Sequence, residues 1–383
     1  MKQIICVSTS NFYPIPTRKQ NVMTRLKDAE ILYIDPPVSL LAPLKDIHTF
    51  PRLFAFLKKG VKAQENITVY APPPVIPFFN RYRWINRINQ RILAGHLKRR
   101  LGRHGFHDPY LWCYSPTSCD LVEYIPSKGI IYDCVDRHSA YKGMIDPMVV
   151  DRMEEDLAQK ALQVFCTAQG LYDRLKPFNA STTLIPNGAA YELFSRAAIP
   201  FDNDKEEAEG KQPVFGFVGM LQECIDYDCI EALAAAKPEA SIVLIGKALP
   251  GVDLTALSKY PNIRQMGLLP QTELPDHIRN FDVCLNLFRD GDLAKDVSPL
   301  KFYEYLATGK PIVSTRMPLQ VLDYSDVVYI ADTPADFVVK CEEALRERGP
   351  EKRQRRMEYG KACSWEERVR QMEEILPQEW RSE

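Results

Sequence analysis

The 383-residue sequence has no C-x-x-C pair among its ten cysteines and only six histidines. Zinc needs clustered thiolates or imidazoles. The nearest grouping is His104-x-x-His107 in a loop, so no metal is expected. Cys6, Cys134, Cys166 and Cys284 lie inside apolar strand-like runs, where a free thiol acts as a small hydrophobe. A disulfide framework is not expected in a long chain of this kind. No uncharged apolar run reaches the roughly 18 residues of a membrane span. The opening MKQIICVSTS has one lysine and a short apolar run that passes straight into polar residues. That reads as a buried strand rather than a secretory signal, and it points to the cytosol. Net charge is also lacking: 49 Lys/Arg against 50 Asp/Glu leave −1, a total that on its face excludes a strongly electrostatic partner.

The total is a cancellation. Residues 1–103 hold 18 Lys/Arg against 5 Asp/Glu, residues 1–190 sum to +9, and residues 191–383 sum to −10. Oppositely charged halves imply different partners for each. With 45% hydrophobic residues the chain has material for real cores, and its length suits two or three domains.

Strands and helices alternate from end to end. KQIICVST, ILYID, NITVYA, YLWCYS, GIIYDCVD, VFCTA and TTLIPNG read as strands, with helices over Asn21–Lys27, 147–161 and 169–176. The strands are short and apolar on both faces, as parallel strands covered by helices must be. Around 196–212 the pattern gives way to IPFDNDKEEAEGKQ, an acidic linker. A second series follows: PVFGFVGM, ASIVLIGKA, NIRQMGLL, FDVCLNLF, PIVSTR and VVYIAD, with helices over 226–236, 271–279, 299–307 and 334–347. The last segment, 351–375, is charged and helical and carries Trp365. The expected class is α/β with doubly wound sheets, in two domains with a ligand cleft between them.

The sharpest local signal is DVSPLKFYEYLATGKPIVST over 296–315. Ser298 is a good N-cap and Pro299 suits the first helical position. Gly309 suits a left-handed C-cap. Such a helix offers free N–H groups and roughly +0.5 charge at its start, an anion site. Lys301 adds a point charge suited to phosphate, and Glu304 is placed to accept hydroxyl hydrogen bonds, as from a ribose. An ordinary capped helix with a surface Lys and Glu is the plain alternative.

The order GFVGM, LIGKA, MGLLPQTELP, FDVCLNLF and SPLKFYEYLATGKPIV resembles the C-terminal half of GT-B glycosyltransferases. LIPNGAAYELF resembles the signature that ends their first domain. The likeness covers most of 130–375 and leans toward bacterial cell-surface polysaccharide enzymes, including teichuronic acid enzymes and GumK-like glucuronosyltransferases. It implies two Rossmann-like domains, an acceptor- and membrane-facing one over 1–195 and a nucleotide-sugar one over 213–355. A C-terminal helix, 356–383, would cross back to the first domain. It also implies roles. Glu304 would bind the donor ribose, while Lys301 and the amides near Ser298 and Leu300 would hold the diphosphate. Gly219 would let the backbone approach the phosphates, and the stretch from Gly267 to Leu269 and Pro270 would frame the uracil. The family's paired glutamates appear here as Asp296 and Glu304. The basic pair usual after the glycine turn is replaced by Met220-Leu221-Gln222-Glu223, which places more weight on Lys301.

At the end of a strand in the first half, YDCVDRHSAY supplies Asp133, Asp136 and His138. A general base for transfer to a hydroxyl is expected there. Asp136 is the first choice by its match to GumK-like enzymes, His138 the second. A plain capping role for the aspartates stays open. Arg18 and Gln20, with Lys19 between them, follow the first strand and are candidates for acceptor phosphate or simply solvated surface. Asp290-Gly-Asp292 has the Asp-x-Asp form of a cation site but sits in the wrong series, so loop chemistry is the preferred reading. In RYRWINRINQRILAGHLKRRLGR, Trp84, Ile85, Ile88 and Ile92 share one helical face, and Arg83, Arg87 and Arg91 another. With LLAPLKDIHTFPRLFAFLKKGVK upstream, this suggests a surface for anionic lipid or a packed helix with a charged exterior. No nucleic-acid module is present. The expected activity is transfer of a sugar from a nucleotide diphosphate, UDP-linked by the resemblance, to a saccharide or lipid-linked acceptor at the inner membrane face. No cofactor or metal is expected. A nucleotide-sugar epimerase of the same fold and a non-catalytic nucleotide-sugar scaffold are the alternatives.

Overall fold

The computed structural model describes residues 1–141, 143–198 and 212–380. The chain forms two compact units, Met1–Pro186 with Val369–Glu383, and Asn187–Arg368. Most of the acidic stretch expected as a linker, 196–212, lies outside the described residues.

The first unit is built on eight strands: β1 (Lys2–Val7), β2 (Ala29–Ile34), β3 (Val61–Gln64), β4 (Ile67–Tyr70), β5 (Tyr110–Cys113), β6 (Gly129–Cys134), β7 (Gln163–Cys166) and β8 (Thr182–Leu184). Their order is β3-β4-β2-β1-β5-β6-β7-β8. All pairings are parallel except the antiparallel β3 at the edge. Runs such as Ile4–Val7 and Tyr110–Cys113 are buried on both faces, which is why they read as unbroken apolar stretches. The chain runs outward from β1 on one side and resumes at β5 on the other. That reversal leaves a crevice at the strands' carboxyl ends.

The second unit has six parallel strands: β9 (Val214–Val218), β10 (Ser241–Ile245), β11 (Ile263–Gly267), β12 (Val283–Asn286), β13 (Ile312–Thr315) and β14 (Val328–Ala331). Their order, β11-β10-β9-β12-β13-β14, puts the reversal between β9 and β12. All ten cysteines are free and, Cys224 apart, buried.

The expected C-terminal helical segment is two helices, Glu351–Ala362 and Trp365–Ile375. From Val369 onward the chain belongs to the first unit. There Lys2 Nζ donates to Glu373 Oε1 at 3.3 Å and to the Trp380 carbonyl at 3.2 Å. The fully buried Trp380 packs edge-on against Tyr110 and Trp112, at 4.9 and 5.9 Å between ring centroids.

The long helix Arg83–His104 departs from its amphipathic reading. Ile85 is buried, but Trp84 is 63% exposed and Ile88 and Ile92 are exposed as well. The inward face carries Asn86, Asn89, Gln90 and Arg100. Asn86 donates to the Thr117 carbonyl and to Asp120 at 2.9 and 2.7 Å. Asn89 exchanges two 2.9 Å bonds with the backbone of Ile76. Arg83 reaches Asp120 and Asp156. Hydrogen bonds engage the buried Asn86 and Asn89, as burial requires, and Trp84, Ile88 and Ile92 are left outside.

His96 on this helix is buried, and its Nε2 has no partner among the described residues. Burial, with Arg100 and Arg99 nearby, pushes its pKa down from 6.5 to about 4. The folded chain stays neutral there while the unfolded chain takes a proton, so stability should fall as pH drops from 6.5 toward 4. The loss is at most about 3 kcal/mol at 1.36 kcal/mol per unit. Urea midpoints at about pH 4.5 and about pH 7.5 should differ less in His96→Gln than in the wild-type chain.

Candidate functional site

In the second unit, three glycines end three neighbouring strands. Gly219 follows β9 and donates its N–H to the Ile245 carbonyl at 2.9 Å. Gly246 follows β10 and donates to the Gly267 carbonyl at 2.8 Å. Gly267 closes β11 at φ 71, a left-handed conformation that glycine adopts without penalty. A Cβ on Gly246 would stand 1.8 Å from the Gly219 carbonyl oxygen. The turns after β9 and β10 therefore touch backbone to backbone. Leu221 N–H to Lys247 O at 3.0 Å extends the strap.

Facing the reversal is the helix Leu300–Thr308, ended by Gly309 at φ 72 as the sequence predicts. Its N-cap is Pro299 and not Ser298, because the Ser298 hydroxyl is used elsewhere. The Ser298 Oγ accepts from Asn187 N–H at 3.0 Å, and the Ser298 carbonyl accepts from Asn187 Nδ2 at 2.8 Å. Asn187 thus pins the loop that delivers the helix. The Tyr305 hydroxyl accepts from Val218 N–H at 2.7 Å and fixes the helix to the end of β9. The first-turn amides, Leu300 and Lys301, have no carbonyl behind them, so they present donors and positive potential.

Glu304 is fully buried one turn on. Its Oε2 accepts from Lys301 Nζ at 2.6 Å and its Oε1 from Gln271 Nε2 at 3.1 Å. Burial pushes the carboxyl pKa up, and Lys301 opposes the shift. Lys301 and Glu304, expected to meet diphosphate and ribose, are paired with each other in this structure. The Lys301 ammonium also lies 5.5 Å from the centre of the Phe194 ring. Asp296 is buried, Gly267 is exposed and Leu269 half-buried on the loop after β11. Asn187 and Gln271 were missed as site residues. The PNG of LIPNGAAYELF and the Gln of LLPQTELP were the available signals.

In the first unit the residues after β1 are not surface. Arg18, Lys19 and Gln20 are all buried. Arg18 Nε bonds both Asp133 oxygens at 3.0 and 2.9 Å, and Arg18 Nη1 bonds the Pro186 carbonyl at 3.0 Å. Gln20 spends its side chain on its own loop, accepting from Thr17 N–H at 2.8 Å and donating to the Asn11 carbonyl. Arg18 and Gln20, expected as acceptor ligands or solvated surface, are buried and build the loop, and Arg18 Nη2 has no partner among the described residues. Lys19, between them, lies 5.7 Å from the centre of the Tyr114 ring, and burial pushes its pKa down against the pull of Asp136 and Asp133. Asp136 is exposed just past β6 and is hydrogen-bonded to Tyr141. The His138 ring is buried, with Nε2 3.1 Å from the Tyr114 carbonyl, and burial pushes its pKa down.

Beside this cluster a cavity of about 320 Å³ is lined by Asn11, Tyr13, Asp35, Val38, Arg52 and Ala55 among others. A larger one, about 530 Å³, is lined by Lys2, Asp28, His107 and Lys128. It lies at the amino ends of the strands, away from where α/β sheets bind ligands. Among the described residues no three His, Cys, Asp or Glu side chains cluster as metal ligands. The Asp292 side chain of Asp290-Gly-Asp292 lies outside them.

A family model described as glycosyl transferase-like matches residues 227–374, which span the Gly246 turn, the loop after β11 and the Leu300–Thr308 helix. The chain carries a glycosyl transferase-like domain. Over 239 residues it is 28% identical to TuaH of Bacillus subtilis (strain 168), a protein assigned as a teichuronic acid biosynthesis glycosyltransferase. That match covers 58% of this chain and 60% of TuaH. Solved structures with the same fold include sucrose-phosphate synthase from Thermosynechococcus elongatus, with TM-score 0.68, 13% identity and 98% of each chain covered. Anabaena HepE in complex with UDP and glucose aligns with TM-score 0.67 and 13% identity, over 99% of this chain and 100% of that one. Trehalose-6-phosphate from E. coli bound with UDP-2-fluoro glucose gives TM-score 0.67 at 13% identity, over 98% of this chain and 99% of that one. The glycosyl transferase-like domain therefore sits in a chain with the GT-B fold.

Proposed function

We propose that this chain transfers a sugar from a UDP-linked donor to a saccharide or lipid-linked acceptor in bacterial surface polysaccharide synthesis. The observation that carries the reading is the pinned helix N-terminus with its half-buried Lys301 paired to the buried Glu304, set beside the glycine turns of β9 and β10. In the proposal, diphosphate binds the Leu300 and Lys301 amides and draws the Lys301 ammonium off Glu304. Glu304 then accepts from the ribose hydroxyls, with Gln271 holding its other oxygen. The close turn at Gly219 lets backbone approach the phosphates, the loop from Gly267 to Leu269 faces the uracil, and Asp296 faces the sugar. The acceptor's saccharide occupies the cavity lined by Asn11, Asp35 and Arg52, and Asp136 takes the hydroxyl proton, with His138 as the second candidate.

Titration calorimetry with UDP tests the donor half. UDP should bind the wild-type chain, and Lys301→Ala should weaken it by roughly 10- to 100-fold, the loss of one charged hydrogen bond of about 1.5–3 kcal/mol. Absence of UDP binding by the wild-type chain would sink the proposal.

A further inference from the structure

We propose that the outer face of the first unit, built from residues 40–61 and the exposed stripe of Arg83–His104, seats on an anionic phospholipid bilayer. The inference is independent of which sugar the chain moves.

The face is apolar where a solvated surface would be polar. None of the side chains of the Ile47–Leu57 segment is buried. Leu44 is 82% exposed, and Ile47, Phe50, Phe54, Leu57 and Val61 are exposed too. The helix adds Trp84, Ile88 and Ile92. These residues are held on one side of the helix. Arg100 Nη2 donates to the Phe56 carbonyl at 3.0 Å, and the rings of Phe56 and His96 lie 6.1 Å apart. Val75 exchanges backbone hydrogen bonds with Val38 and Leu40, and its neighbour Ile76 is bound by Asn89. At 100° per residue, Asn89, His96 and Arg100 fall within about 80° of Ile92. The segment therefore lies along the flank next to the exposed stripe.

Charge decides the occupant. Residues 40–61 and 83–104 carry eleven Lys/Arg and one acidic residue, Asp46. Lys45, Arg52, Lys58, Lys59, Arg91 and Lys98 are exposed around the apolar residues. Exposed Leu, Ile, Phe and Trp within a cationic rim fit the headgroup and upper acyl region of an anionic membrane. A second copy would bring the same positive rim against itself in a two-fold interface. No helix among the described residues is long and apolar enough to cross a membrane, so the contact is peripheral. Arg52 and Ala55 also line the Asp35 cavity, so that cavity opens beside the proposed lipid face.

The test uses the full chain with vesicles of phosphatidylcholine, with and without phosphatidylglycerol. Three of the four tryptophans, Trp112, Trp365 and Trp380, are fully buried, so a blue shift of fluorescence on vesicle addition reports Trp84. The expected result is co-sedimentation and a blue shift with the anionic vesicles only, reversed by salt. Lys58→Gln/Lys59→Gln should bind about 30-fold more weakly, at about 1 kcal/mol per cation. Phe50→Ser/Phe54→Ser should lose the blue shift. Calorimetry with UDP on each variant checks that the second unit is folded, and far-ultraviolet circular dichroism checks the first. Equal binding to neutral vesicles, or no binding to either, overturns the proposal. So does a wild-type dimer that Phe50→Ser/Phe54→Ser converts to monomer in sedimentation equilibrium.

Discussion

Asp136→Asn should lower the turnover of sugar transfer by about 10²–10⁴-fold, the usual worth of a general base, and leave UDP affinity unchanged. The substitution keeps the shape and removes only the ability to hold a proton. Asp136 is exposed at the carboxyl end of β6, so a hydroxyl can reach it. The buried Lys19, whose ammonium is itself disfavoured by burial, is stabilised by Asp136. His138 is the weaker choice because its Nε2 is already at the Tyr114 carbonyl and its ring is buried. Steady-state rates for Asp136→Asn and His138→Gln separate the two. A large loss in the histidine variant with none in the aspartate variant reverses the assignment.

Gly246→Ala should be the most damaging single methyl group in the second unit. The new Cβ would lie 1.8 Å from the Gly219 carbonyl oxygen, and the backbone there has φ 150. No side-chain rotation relieves a clash with a peptide oxygen. Overpacking costs about 1–3 kcal/mol and a disallowed backbone conformation about as much again, so a total of about 2–6 kcal/mol is expected. Urea unfolding should show the midpoint falling at unchanged slope. Any folded remainder should bind UDP poorly, because the turn after β9 would be pushed out of place. A variant with wild-type midpoint and affinity would show that the two turns do not need this approach.

The parts of the fold that depend on neighbours in sequence were legible. Apolar runs gave the parallel strands, and Gly309 gave the end of its helix. The edge strand β3 was missed because Val61–Gln64 is mostly exposed and lacks the apolar run that marks its neighbours. The Arg83–His104 helix was read with its apolar side as a unit. Its actual orientation is set by Asp120, Thr117 and Ile76, partners at 13–37 residues' remove that no local period reveals. At the candidate site the same division holds. The Lys301–Glu304 pair is an i,i+3 neighbour relation that helix geometry could have supplied. The bond from Asn187 to Ser298 spans 111 residues and could not. The bond from Arg18 to Asp133, 115 residues away, is beyond local reading in the same way.

The junction at Val369 has a consequence for synthesis. Because the second unit is inserted into the first, β1 waits for a partner made 378 residues later, when Lys2 meets the Trp380 carbonyl. Domains emerging from the ribosome usually fold in the order they are made. Here the second unit can be complete while the nascent first unit still shows water the flank of Tyr110 and Trp112 that Trp380 covers. Emergence of residue 380, rather than of residue 186, is then the moment at which the first unit closes.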